Sequence, residues 1–308
     1  MARDFWTYLN GEWVLEREAR VSIFDAGFYW GDSVCEALRT FHGRLFKLPE
    51  HLDRLYQSLR EARMGVGLRP PEMAQAIQDT LERNRPLFAA DEEAWVSLTV
   101  TRGPISPPAR EEGERSTVVI VCHPLDFRAF AHLYRTGAHV VVPPTRHLPP
   151  TSLLSSIKHR SRLHFQIARA EVQRIDPEAV PVLLDQEGYL TESDNGNFFL
   201  VREGALFTPS LRNVLPGISR AVTLELAERL GIPAYEEDIP PSAAAEAEEA
   251  FLTMTSRCLM PVTRFNGQPI GDGRPGPMFH RLMAAWSEYV GLDVLGQILT
   301  SGSQEEAV

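Results

Sequence analysis

The apolar positions of the first 100 residues change period several times. Alternating runs at Phe5 to Leu9 and Trp13 to Leu15 flank Asn10-Gly11, the dipeptide best suited to a two-residue hairpin because both residues tolerate positive φ. A longer run, Ser33 to Phe41, is followed by the turn His42-Gly43 and by Leu45-Phe46. From Pro49 the spacing lengthens to three and four, and Leu52, Leu55, Tyr56 and Leu59 predict a helix. Met73, Ile77 and Leu81 predict a second one over Pro71 to Asn84. Trp95 to Thr101 and Thr117 to Cys122, rich in β-branched residues, predict strands. Between them, Gly103 to Glu114 holds three prolines and two glycines, which predicts a long loop of the kind that carries function.

The pattern lapses from Pro124 to His132, where a domain joint is expected. Beyond it strands and helices alternate. Strands are predicted at Gly137 to Val142, Val180 to Asp185, Asn197 to Arg202 and Glu249 to Thr253. Helices are predicted from about Lys158 to Ile175, from Ile218 to Leu230 and from Pro277 to Val290, with a frayed tail at Ser301 to Val308. The fold class expected is α+β or α/β in two modules. Residues 1–125 form a small N-terminal domain, 126–135 a linker, 136–300 a larger domain and 301–308 the tail.

Composition narrows the function rather than the fold. At 308 residues, 44% apolar and 23% charged, the chain can bury a sizeable core in two modules. A formal net charge of -10 argues against nucleic acid or an anionic membrane as a partner, since both need a basic face. Cys35, Cys122 and Cys258 form neither a CxxC pair nor a Cys/His cluster, so no metal site is expected and reduced thiols are. The start lacks the layout of a signal peptide and no apolar run could span a bilayer, so a cytoplasmic location is expected.

Three stretches could carry chemistry. Lys158 stands beside His159, Arg160 and Arg162; crowded cations lower an amine's pKa, and a neutral lysine attacks an aldehyde. The same residues also read as the solvated start of a basic helix. Leu215-Pro216-Gly217-Ile218-Ser219-Arg220 is a loop-to-helix junction whose N–H groups could hold a phosphate, or a plain helix cap. Thr253 to Ser256 offers hydroxyls where a strand ends, or forms a simple turn.

Six ordered blocks, in a match that runs over roughly Leu9 to Val290, resemble the fold-type IV (class IV) enzymes that depend on pyridoxal 5'-phosphate. The family includes branched-chain and D-amino acid aminotransferases, (R)-amine transaminases and aminodeoxychorismate lyases. The blocks are Asp25 to Asp32 with Glu36 and Arg39, Glu50-His51-Leu52-Asp53-Arg54-Leu55, and Ile157-Lys158-His159-Arg160-Ser161-Arg162-Leu163. Thr191-Glu192 with Asn197-Phe198, Leu215 to Arg220, and Leu259-Met260-Pro261-Val262 complete them. The resemblance implies a small N-terminal α/β domain and a larger domain with a barrel-like sheet. It implies that Lys158 carries the coenzyme as a Schiff base and moves the substrate's proton, and that Glu192 faces the pyridine nitrogen. Arg54 is implied to grip the phosphate, with backbone N–H groups of Ile218 and Ser219 after Gly217 and hydroxyls of Thr255 and Ser256. Leu163 stands where many relatives place a tyrosine near the coenzyme's hydroxyl, and Asn197 braces the turn that aims Glu192.

For the substrate, the resemblance points to Trp30, Cys35, Glu36, Trp95, Arg102 and Arg257. Thr101-Arg102-Gly103 is similar to the D-amino acid enzymes, where an arginine here binds the substrate carboxylate. The strand from Trp95 to Thr101 lacks the arginine that branched-chain enzymes carry on it. An aminotransferase with an amino donor and a 2-oxo acid acceptor is implied, the D-amino acid type favoured over the branched-chain L-type, and a homodimer. The alternative is a lyase that releases pyruvate from aminodeoxychorismate, which Glu36-Ala37, standing where those lyases carry threonines, disfavours.

Overall fold

The computed structural model describes residues 3–105 and 116–302. Most of the proline-rich stretch from Gly103 to Glu114, and the expected frayed tail from 303 on, lie outside the described residues. Packing divides the chain into two compact units. The first holds Met1–Leu125 together with Ile157–Ser161, and the second holds Asp126–Ser156 and Arg162–Val308. Residues 157–161 therefore group with the first unit, not with the 136–300 stretch in which they stand.

The first unit is a six-stranded antiparallel sheet covered by helices. Its strands are β1 (Trp6–Leu9), β2 (Glu12–Leu15), β3 (Ser33–Phe41), β4 (Arg44–Leu45), β5 (Ala94–Thr101) and β6 (Thr117–Pro124), in the order β2-β1-β6-β5-β3-β4. Its helices are α1 (Ala26–Trp30), α2 (Leu48–Glu61) and α3 (Pro70–Asn84). Asn10-Gly11 and His42-Gly43 form two-residue hairpin turns with positive φ at both positions, the geometry whose twist matches paired strands. Strand alternation sorts the residues of β3 and β5. Val34, Glu36 and Leu38 lie opposite Val100, Leu98 and Val96 on one face, and Cys35, Ala37 and Arg39 lie opposite Thr99, Ser97 and Trp95 on the other. The first face is buried; α2 packs against β3, and α3 against β5 and β6.

The helix predicted from Lys158 begins only at Leu163. Residues 158–160 instead lie along the free edge of β3. The Cys35 N–H donates to Lys158 O at 2.8 Å, Arg160 N–H donates to Ser33 O at 2.9 Å, and His159 bridges Val34. Backbone groups bonded sideways to a strand cannot also close helical turns.

The second unit is built on nine strands, β7 (Ala138–Val141), β8 (Val180–Leu184), β9 (Leu190–Ser193), β10 (Asn197–Arg202), β11 (Ala205–Pro209), β12 (Ala234–Glu237), β13 (Glu249–Met254), β14 (Cys258–Phe265) and β15 (Gln268–Pro269). They run β12-β11-β10-β13-β14-β7-β8-β9, and β9 pairs back onto β10. Six strands, β10-β13-β14-β7-β8-β9, thus close into a barrel around Val140, Val182, Phe198, Leu252, Met260 and Val262. The helices are α4 (Leu133–Thr136), α5 (Leu163–Val172), α6 (Ile218–Arg229), α7 (Pro241–Ala245), α8 (Pro277–Val290) and α9 (Val294–Gly302). β14, a central strand that the sequence pattern does not predict, contains Pro261, which reads as a strand breaker. No helix among the described residues is long and apolar enough to cross a membrane.

Candidate active site

In the first unit the candidate residues gather around the N-terminal half of β3. Lys158 is half-buried. Its carbonyl is fixed by Cys35, and its own N–H donates to Ser58 Oγ of α2 at 3.1 Å. Beneath the sheet, α2 sends His51 and Arg54 to the buried face of β3. Arg54 donates to Glu36 through Nε at 2.7 Å and Nη2 at 2.8 Å, a bidentate fork, and His51 Nδ1 stands 2.7 Å from the same carboxylate. All three side chains are buried. Burial pushes the Glu36 carboxyl up, but the charge and hydrogen bonds of Arg54, with those of His51, outweigh it and hold the group well below the usual carboxylate range. Burial, joined by the charges of Arg54 and Lys158, outweighs the pull of Glu36 on His51 and leaves that imidazole below its ordinary value.

In the second unit the candidates meet where the barrel closes. The Ser193 N–H donates to Gly196 O at 2.8 Å, so β9 and β10 form a tight hairpin and Glu192 pairs with Asn197 in register. Glu192 Oε2 accepts from Asn197 Nδ2 at 3.2 Å and from the Leu215 N–H at 3.1 Å. Asn197 Nδ2 also donates to Leu215 O at 2.9 Å, tying the carboxylate to the loop that opens α6. At that loop Gly217 has no room for a side chain, since a Cβ there would meet Asn197 Oδ1 at 2.0 Å. α6 begins without a side-chain cap, and Ser219 in its first turn is buried. Thr253, opposite Asn197, has a buried hydroxyl with no hydrogen-bond partner among the described residues. Thr255, Ser256 and Arg257 form the turn between β13 and β14.

The other Oε of Glu192 lies 3.4 Å from His147 Nε2, a residue that the sequence reading leaves out. His147 Nδ1 stands 3.0 Å from Leu148 O, so Nδ1 carries a proton, because a carbonyl can only accept. Burial lowers the imidazole's pKa, but the hydrogen bond and charge of Glu192, with the Leu148 carbonyl, outweigh it and raise it above the ordinary value.

The remaining candidates are dispersed. Trp30 is exposed at the end of α1 and Leu163 is exposed at the start of α5, whereas Cys35 is buried on β3 and Trp95 is half-buried on β5. Glu36 is bound to Arg54 and not to Arg39, which alternation places on the opposite face. Arg102 is bonded within its own unit. Its Nε donates to Asp32 at 2.5 Å, Nη1 to Arg63 O at 2.7 Å and Nη2 to Ala62 O at 3.1 Å. The fork thus holds the C-terminal end of α2. Arg257 lies over the Phe130 ring at 3.5 Å and is largely withdrawn from water, which lowers its pKa. Asp194 Oδ2 accepts from Arg169 Nε at 2.7 Å. Arg160 holds two hydroxyls of β5, an arrangement that its basic sequence neighbourhood does not announce.

In the second unit, a carboxylate held at both oxygens, an uncapped helix start and a buried hydroxyl unpartnered among the described residues suit a basic ring nitrogen and a phosphate; in the first unit, the amine of Lys158 suits an aldehyde. Residues 33–265 match the family model for class IV amino-transferases. A Methanocaldococcus jannaschii protein provisionally named a branched-chain-amino-acid aminotransferase is 31% identical over 89% of this chain and 93% of its own length. A D-alanine aminotransferase of Staphylococcus aureus is 28% identical over 92% and 97%. The crystal structure of the Escherichia coli branched-chain amino acid aminotransferase superposes with a TM-score of 0.85 at 26% identity, covering 94% of this chain and 95% of that one.

Proposed function

Because the chain belongs to the class IV aminotransferases, enzymes that use pyridoxal 5'-phosphate, we propose that Lys158 and Glu192 are its catalytic pair. The reaction is transfer of an amino group from an amino acid to a 2-oxo acid. When bound, the coenzyme supplies an aldehyde carbon for the amino group and a protonated ring that draws electrons from the substrate's α-carbon. Lys158 would hold that aldehyde carbon, and its amine would move the proton at the substrate's α-carbon. Glu192 keeps the ring nitrogen protonated, and its oxygens are held in advance by Asn197, Leu215 and His147. This pre-set carboxylate at the barrel's closing pair is the observation that carries the reading.

The phosphate falls to Arg54, whose direction Glu36 fixes, and to the Ile218 and Ser219 N–H groups behind Gly217, with Thr255 and Ser256. Leu163 takes the place beside the ring's hydroxyl, and Trp30, Cys35, Trp95 and Arg257 belong to the substrate side. A D-amino acid donor rests on Thr101-Arg102-Gly103 alone. Initial rates with D-alanine and L-leucine measure it, and faster turnover of L-leucine removes it. We also infer a homodimer, supported by the exposed apolar stripe Val21, Ile23, Phe24, Phe28, Tyr29 and Trp30.

Borohydride reduction of the loaded enzyme, followed by peptide mapping, tests the pair. The pyridoxyl group is expected on Lys158, and Lys158→Ala is expected to lose both the label and amino transfer. A label on another lysine would overturn the assignment. Pyruvate release from aminodeoxychorismate without amino transfer to any 2-oxo acid would overturn the amino-transfer reading.

A further inference from the structure

Arg160 stands two residues beyond Lys158, and three observations give it a task. Its backbone is tied to Ser33 on the edge of β3, while β5 runs along the opposite edge of that strand. Its side chain therefore crosses β3. Nη2 donates to Ser97 Oγ at 2.7 Å and Nε donates to Thr99 Oγ1 at 3.1 Å, both on β5. Second, the pairing of 158–160 with 33–35 puts Lys158 opposite Cys35 and Arg160 opposite Ser33. Residues opposite one another in such a ladder share a face. The ladder register thus puts Lys158, Arg160, Cys35, Ser97 and Thr99 on one side of the sheet.

Third, the partners of Arg160 are neutral. Among the described residues it makes no ion pair with a carboxylate and Nη1 has no hydrogen-bond partner, and the residue is exposed. Arg102 offers the contrast, since Asp32 already balances its charge. A guanidinium oriented by two hydroxyls keeps its charge for an incoming anion, and its planar fork matches a carboxylate.

We propose that Arg160 binds a carboxylate of the substrate, on the same face of the sheet as the amine of Lys158. The inference rests on the amino-transfer reading above, because it takes the substrate to be an amino acid or a 2-oxo acid. Two carboxylates qualify, the one beside the reacting carbon and the distal one of a dicarboxylic substrate. Both ask the same chemistry of Arg160.

Two non-reacting acids separate them. Binding of glutarate and of 4-methylpentanoate to the coenzyme-loaded enzyme is measured by calorimetry for the wild type, Arg160→Met and Arg160→Lys. Arg160→Met is expected to weaken glutarate at least tenfold, with partial recovery in Arg160→Lys, which keeps the charge but not the fork. Equal weakening of 4-methylpentanoate assigns Arg160 to the carboxylate beside the reacting carbon, and weakening of glutarate alone assigns it to the distal one. A second variant, Ser97→Ala with Thr99→Val, leaves the charge but frees the fork and is expected to weaken glutarate several-fold. Affinities for both acids within twofold of wild type in Arg160→Met, or no binding of either acid to the wild type, would overturn the proposal. Failure of the amino-transfer reading appears elsewhere, as a wild-type enzyme that transfers no amino group from any amino acid tested.

Discussion

The Glu36–Arg54–His51 cluster shows how one buried charge governs its neighbours. A buried ion pair is weak evidence of stability in itself, but removing one partner leaves an uncompensated charge in the interior. Glu36→Ala is therefore expected to destabilise the protein by about 3–5 kcal/mol and to weaken coenzyme binding, because Arg54 loses its orientation. Urea unfolding and coenzyme titration measure both, and a loss below about 1 kcal/mol would contradict the geometry. The two titratable clusters act in opposite pH windows. The folded-state pKa of Glu36 is depressed, so its contribution is present above the ordinary carboxylate pKa and is lost only as pH falls through the folded value. That of His147 is raised, so its contribution is complete below its ordinary value of about 6.5 and is lost as pH rises through the folded value. The stability difference between wild type and His147→Gln should accordingly shrink as pH rises above about 6.5; a difference that stays constant as pH rises would show that the pairing with Glu192 is not what His147 contributes.

At the scale of elements, ends and junctions carry the constraints. Arg102 donates to two carbonyls at the C-terminal end of α2, where the helix dipole favours a cation, and pairs with Asp32. It is partly exposed, so Arg102→Ala is expected to cost only about 1 kcal/mol. KM for carboxylate-bearing donors should change little; a large rise in KM with unchanged stability would restore Arg102 as a substrate anchor. Gly137 and Gly204 test backbone strain at two junctions. Gly204, with φ +71° in the hairpin between β10 and β11, has open space for a Cβ, and Gly204→Ala should cost about 1 kcal/mol. Gly137, with φ 78° and ψ 153°, lies in a region essentially closed to other residues. A Cβ there would meet the buried Thr263 at 2.0 Å, so Gly137→Ala should cost clearly more, about 3 kcal/mol or above. Equal melting temperatures for the two variants would refute this ranking.

For the molecule as a whole, the exposed stripe from Val21 to Trp30 is the feature out of keeping with a water-facing surface. Phe28 is 74% exposed and Trp30 is 63% exposed, where single apolar side chains would be unremarkable but several exposed ones between Val21 and Trp30 are not. Sedimentation of the wild type is expected to give the mass of two chains, and Phe28→Ser with Trp30→Ser to shift it toward one. A wild type that sediments as a single chain at micromolar concentration would remove the homodimer.

The sequence by itself determined the elements whose signals are local. The Asn10-Gly11 and His42-Gly43 turns, the amphipathic α2 and α3, the β-branched β5 and β6, and α8 follow from period and turn chemistry. The ordered blocks around Lys158, Glu192 and Leu215 to Arg220 mark the family. Only the tertiary structure decided what depends on distant partners. Sideways hydrogen bonds to β3 made residues 158–160 an extended edge, although their composition suits a helix. Burial on both sides made β14 a central strand despite Pro261. The bond of the His147 N–H to Leu184 on β8, the strand that pairs with β9, brought His147 to Glu192, and strand alternation turned Glu36 toward Arg54. Arg102 and Arg160 look alike as cations in the sequence. What separates them is which acceptors the fold brings within reach, a carboxylate for the first and two hydroxyls for the second.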